Sequence, residues 1–177
     1  GATLQHPTTL KLTAEEQKRF LADQPITQVT AATKWRILTQ EDQLSTYDTW
    51  DIRLLQFFPD PDCEGKPIDA SLGEAIHSNG YNSPQSAFED NESSWYGYPV
   101  DGNYFIGIDF KGEEKVVRCI ILDQPYGQPT YTLNYFTTTA VVQAYHEGEW
   151  VNVWIADGLV KGDNTIRIDL STLATPE

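Results

Sequence analysis

Glu89-Asp90-Asn91-Glu92 sets three carboxylates and an amide within four consecutive residues. Hard oxygen ligands at this density are what calcium prefers, so Glu89, Asp90 and Asn91 are the candidate metal ligands and calcium the one candidate cofactor. A solvated acidic turn is the competing reading, because no glycine stands there to let the backbone wrap an ion. Asn91-Glu92-Ser93 also spells an N-glycosylation acceptor, and a sugar there would compete with a metal for the same loop.

A few residues on, Trp95-Tyr96-Gly97-Tyr98-Pro99 and Tyr104 offer aromatic faces that could stack on a sugar ring, with Asp101 and Asn103 alongside as hydrogen-bonding groups. His77, Asn79, Tyr81 and Asn82 on one segment, and Asp123, Gln124, Tyr126 and Tyr131 on another, could rim the same end of a domain. Tyr96, Tyr98, Asn103, His77, Tyr81 and Tyr126 are accordingly the candidate ligand-binding residues. Ordinary loop polarity is the competing reading for both of those segments, Tyr81, Tyr126 and Tyr131 included.

Chemistry that makes and breaks bonds has less to stand on. The histidines are His6, His77 and His146, and no nucleophile elbow, HExxH or glycine-rich phosphate loop accompanies them. We therefore expect no catalytic residue. Cys63 and Cys119 could close one loop as a disulfide, with two buried free thiols as the alternative. No Cys/His cluster suggests zinc or iron-sulfur.

The elements that must position these groups follow from pattern. Thr13 and Glu16 form a capping box, and residues 14–22 hold good helix formers with Phe20 and Leu21 as the apolar face, ending near Asp23 before Pro25. So short a helix needs something to lie against, which makes Leu10, Leu12, Phe20 and Leu21 candidate partner-docking residues. From about Thr33 the pattern becomes short strands punctuated by Gly, Pro, Asn and Asp. Strands are expected at 34–38, 50–58, 104–110, 115–122, 140–146, 150–155 and 165–170. In 104–110, Ile106, Ile108 and Phe110 alternate with Gly107 and Asp109, the period of a strand with one buried face. Residues 59–103 and 123–132 read as loops, broken by Pro61, Gly65, Pro67, Gly80, Pro84, Gly97, Pro99 and Gly102. The expected organisation is an N-terminal extension over 1–32, an all-β sandwich over 33–172 and a tail over 173–177.

Several of these segments, in order, resemble the discoidin family, the galactose-binding-like domains found at the C-terminal end of blood coagulation cofactors and among sugar-binding modules of bacterial enzymes. They are Trp35-Arg36-Ile37-Leu38, Trp50 to Phe58, Ser86-Ala87-Phe88-Glu89-Asp90-Asn91 with Trp95, Tyr104 to Phe110, the hairpin from Val142 to Trp150, and Thr165-Ile166-Arg167-Ile168. The resemblance implies a jelly-roll β-sandwich of about eight main strands with a core Trp95, and a non-catalytic module that binds through loops at one end. Asp90 stands where the family's turn has glycine and Leu54 where an acidic residue is often found, so the resemblance carries no calcium site with it. The two cysteines are not at the domain's ends, so it carries no disulfide either.

Charge narrows the partners. The 177 residues hold 12 basic and 26 acidic side chains, a formal charge of -14 with a pI near 4.4, which repels phosphate backbones and anionic lipid. Nucleic acid and membrane insertion are not expected. A chain that opens on Gly1 and has no methionine suggests a processed, secreted or extracytoplasmic protein, with an organelle lumen such as the thylakoid's as the alternative. Two functions fit: a module that recognises a glycan or protein, or an accessory subunit docked by its N-terminal segment into a larger complex.

Overall fold

The computed structural model describes residues 25–44, 49–90, 93–124 and 135–169. The expected N-terminal helix with Leu10, Leu12, Phe20 and Leu21 lies outside these residues, as do Asn91, Tyr126, Tyr131 and the 173–177 tail. The described chain is almost wholly β, and its helical elements are three 3-10 turns at Glu41–Gln43, Ala70–Leu72 and Pro84–Phe88.

Thirteen strands are described: β1 Ala31–Ala32, β2 Lys34–Gln40, β3 Trp50–Ile52, β4 Leu54–Phe58, β5 Glu74–His77, β6 Gly80–Tyr81, β7 Trp95–Gly97, β8 Asn103–Asp109, β9 Lys115–Val116, β10 Cys119–Gln124, β11 Thr139–His146, β12 Glu149–Asp157 and β13 Gly162–Arg167. They pair antiparallel throughout. The largest sheet runs β12-β11-β2-β8-β5, a second runs β13-β10-β4, a third β3-β7-β6, and β1 pairs with β9.

Period-two alternation builds the large sheet. In β2, Trp35, Ile37 and Thr39 are buried while Lys34, Arg36, Leu38 and Gln40 face outward. Trp35, Ile37, Ile106, Ile108, Val142 and Ala144 from this sheet meet Leu55, Phe57, Ile120, Leu122 and Ile166 from the second in one hydrophobic core. Each large side chain taken fully out of water contributes roughly 1.5–3 kcal/mol. The result is a sandwich-like arrangement of antiparallel sheets. It already includes residues before Thr33, because Val29 is in the core and the Thr27 amide donates to the Asn152 carbonyl at the β12 edge (2.8 Å).

Two expected strands are each divided. Within 50–58 the break is at Arg53, whose amide donates to Asp123 and whose guanidinium pairs with the Asp123 carboxylate, so that β3 joins one sheet and β4 another. Within 115–122 the break is at Val117-Arg118: β9 pairs with β1, and β10 lies between β4 and β13. The segment 59–103, expected to be loop, contains β5, β6 and β7. Short edge strands interrupted by Gly and Pro leave too few residues for an alternation to register. Between β11 and β12, Glu147 (φ 51°) and Gly148 (φ 81°) form the two-residue turn whose left-handed backbone suits a tight hairpin.

Gln124 joins the sheets. It is fully buried; its Oε1 accepts from Trp50 Nε1 and from the Thr137 amide, each at 2.8 Å, and its Nε2 donates to the carbonyls of Thr137 (3.1 Å) and Val160 (3.0 Å). Thr39, Thr137 and Thr139 form a second buried network, with Thr39 Oγ1 2.8 Å from Thr137 Oγ1. Cys63 and Cys119 are bridged, with a Cα–Cα distance of 5.2 Å.

Replacing Gln124 with Leu leaves two buried N–H donors without an acceptor, each worth roughly 1–3 kcal/mol. Urea unfolding of the variant is expected to show a loss of about 3 kcal/mol; an unchanged midpoint would contradict the network. Reducing the Cys63–Cys119 bridge frees a loop of 56 residues' separation in the unfolded chain and is expected to lower stability by roughly 2–4 kcal/mol, measured by the same titration with and without reductant.

Candidate functional site

The sheet β3-β7-β6 assembles most of the described aromatic candidates. Tyr81 of β6 and Asp51 of β3 pair with Tyr96 of β7 from opposite sides, so Asp51, Tyr96 and Tyr81 form one cross-strand row. The Tyr81 and Tyr96 rings lie 6.3 Å apart, tilted by 35°. Tyr81 is 65% exposed and Tyr98 40%, whereas Tyr96 is half-buried. Alternation from Tyr96 through Gly97 puts Tyr98 on the same side, and the Tyr98 amide continues the ladder by donating to the Asn79 carbonyl (3.0 Å).

The other side of this sheet is fixed by Trp95. Its indole is buried edge-on to Trp50, 6.2 Å between centroids. Gly97 lies flat against it: a Cβ there would come within 2.3 Å of the ring, and one at Gly80 within 2.6 Å of Nε1. Those two glycines let the backbone settle on the indole, and the tyrosine side faces away.

Trp95 Nε1 donates to His77 Nδ1 (3.1 Å). That bond needs a lone pair on Nδ1, so His77 is held neutral; burial lowers its pKa and a hydrogen bond with the Asn79 backbone opposes the shift. His77 is thus brought to the site, as a brace beneath it. Ser78 ties the site to the large sheet: its Oγ donates to the Tyr98 carbonyl (2.8 Å) and accepts from the Phe105 amide (3.2 Å). Asn82 adopts a left-handed backbone (φ 67°) and its amide donates to the Ser94 carbonyl (2.7 Å). Asn103 sits at the hairpin after Tyr98, its side chain engaged with Gln40 Nε2 (3.3 Å) and the Asp101 carbonyl (3.4 Å).

Other sequence candidates lie elsewhere. Gln124, grouped with the rim by its polarity, is the buried hub described above, and Asp123 is buried against Arg53. Asp90 pairs with the Arg53 guanidinium at 3.3 Å while remaining 77% exposed. Among the described residues no three His, Cys, Asp or Glu side chains gather as a metal site.

The residue that sequence reasoning passed over is Asp51. It is only 5% exposed, its Oδ1 is buried without a hydrogen-bond partner, and burial pushes its pKa up to about 7, with a hydrogen bond from Thr49 opposing the shift. The signal was present: a lone acidic residue between Trp50 and Ile52, both fully buried.

Comparison of the chain with protein-family profiles, curated proteins and solved structures finds no match. The reading of the site therefore rests on its own geometry: two exposed tyrosines and a third half-buried one, on a short sheet braced by the buried Trp95 and by the half-buried Ser78.

Asp51 gives the site a defined pH response. Its folded pKa lies above its value in the unfolded chain, so the folded state holds the extra proton between about pH 4 and 7. Stability from this group is full below that window and is lost as pH rises through it, by on the order of 4 kcal/mol. Asp51→Asn removes the charge at all pH values. The variant is expected to gain stability over the parent at pH 8 and to lose that advantage near pH 4, in paired thermal melts. A stability difference that does not change with pH would refute the raised pKa.

Proposed function

We propose that this chain is a non-catalytic binding module of the discoidin-like, jelly-roll kind, which recognises a glycan or protein surface through the end of the fold that carries Tyr81, Tyr96 and Tyr98. One observation carries the reading. Tyr81 and Tyr98 keep 65% and 40% of their surface open to solvent, although the Tyr98 backbone is tied to Ser78 Oγ and to the Asn79 carbonyl and the neighbouring Gly97 and Gly80 lie against the buried Trp95 ring. Rings held open on a rigid support contribute contact area at little entropic cost, and their faces suit the C–H faces of a pyranose.

The eight strands of the two larger sheets, all antiparallel around one core, support the jelly-roll reading. The bridge between Cys63 and Cys119 supports an oxidising setting, secreted or within an organelle lumen.

The test is binding of the chain to a panel of immobilised neutral glycans, followed by Tyr81→Ala and Tyr98→Ala. Each substitution is expected to weaken the selected glycan at least tenfold while leaving the melting temperature within a few degrees, because both rings are surface groups. Full binding by the double variant would overturn the tyrosine site.

A further inference from the structure

The outer face of the large sheet carries an arginine whose surroundings are unlike those of the other described cations. Arg36 stands mid-strand in β2, opposite Gly107 on one side and Gln143 on the other. Its guanidinium carbon lies 4.4 Å from the centre of the Phe105 ring and 4.1 Å from that of Trp150, a cation held between two aromatic faces. Its Nε donates to Gln143 Oε1 (2.7 Å), and Gln143 Nε2 in turn donates to Asn152 Oδ1 (2.8 Å). At Gly107 a Cβ would fall 2.0 Å from the Trp35 carbonyl and 2.6 Å from Arg36 Cα, so glycine alone lets β8 approach this closely.

Rings and amides thus fix one edge of the guanidinium and leave the other. Among the described residues no carboxylate lies within 4.0 Å of Arg36, although Arg53, Arg167, Lys34, Lys111 and Lys115 each have one. The terminal nitrogens donate to no described residue, and the side chain is half-buried. A planar fork of donors with a locked orientation is the arrangement that takes a carboxylate in two parallel hydrogen bonds.

We propose that the free edge of Arg36 recognises a single carboxylate on an otherwise neutral glycan, that is, a uronate-type sugar. The edge-to-face pair Tyr145 and Trp150 (5.5 Å) supplies aromatic surface beside it, and Asn152 and Gln143 supply amides for hydroxyls. Lys34, whose Nζ lies 4.4 Å from the centre of the Tyr145 ring, is already paired with Asp109, so Arg36 is the cation left to meet an acid group on this face. The overall charge of -14 repels a densely charged polyanion. Its residues include none of Tyr81, Tyr96 and Tyr98, so the proposal stands or falls without the tyrosine site.

The experiment is calorimetric titration of the full chain with three probes: an otherwise neutral trisaccharide ending in glucuronate, the same sugar as its methyl ester, and a short, otherwise neutral peptide carrying one aspartate. The acid sugar is expected to bind at least tenfold more tightly than its ester and than the peptide. Arg36→Gln is expected to reduce that binding at least tenfold, Arg36→Lys to lose most of it despite keeping the charge, and Tyr81→Ala to leave it unchanged. Equal binding of acid and ester, equal binding of the peptide, or no binding at millimolar sugar would overturn the proposal. The ester and peptide comparisons use the unaltered chain, so they decide the matter even if an Arg36 variant does not fold.

Discussion

A single buried amide sets how the sheets of this protein meet. Gln124 ends β10, and its side chain accepts from Trp50 of β3 and from Thr137 ahead of β11, while donating to Thr137 and to Val160 between β12 and β13. Hydrophobic burial has no preferred direction and would tolerate sliding of one sheet over another. A fully satisfied amide does not, since any slip strands a buried donor or acceptor. The position of Trp50 follows from Gln124, that of Trp95 from its edge contact with Trp50, and the β7 backbone lies on the Trp95 ring. The tyrosines at the loop end inherit their placement from that chain of contacts.

Some of this was legible in the sequence because it is local. The alternation in β2 and β8, and the Glu147-Gly148 turn, need only neighbouring residues to be read, and the structure has strands and a left-handed turn there. What was not legible depends on distant partners. Gln124 looks like the polar end of an apolar strand until Trp50, Thr137 and Val160 are placed around it. The row of Asp51, Tyr96 and Tyr81 crosses three strands of two or three residues each, too short to declare themselves. The break at Arg53 likewise depends on Asp123, 70 positions away.

The groups beneath the loop end are tuned in opposite directions by the same cause. Burial disfavours charge, so it raises the Asp51 pKa and lowers that of His77. Burial therefore works against charge on both groups, Asp51 in the small sheet and His77 at the edge of the large one. Trp95 reinforces this at His77, because protonating Nδ1 would break the indole bond.

Two arginines show how an excess of acid has been distributed. Arg53 is bound by two carboxylates, Asp123 and Asp90, which raise its pKa and commit it to holding β3 and β4 against β10. Arg36 lies among rings and amides, and burial lowers its pKa to about 10, which still leaves it charged at neutral pH. Among the described cations Lys34, Arg53, Lys111, Lys115 and Arg167 each have a carboxylate within 4.0 Å. Phe105 and Trp150 occupy the faces of the guanidinium and Gln143 one edge, so the only direction left for an anion is outward from the sheet. The contacts that hold Arg36 still supply no carboxylate from the described residues, so an acid that meets it is supplied by another molecule or by a part of the chain beyond them.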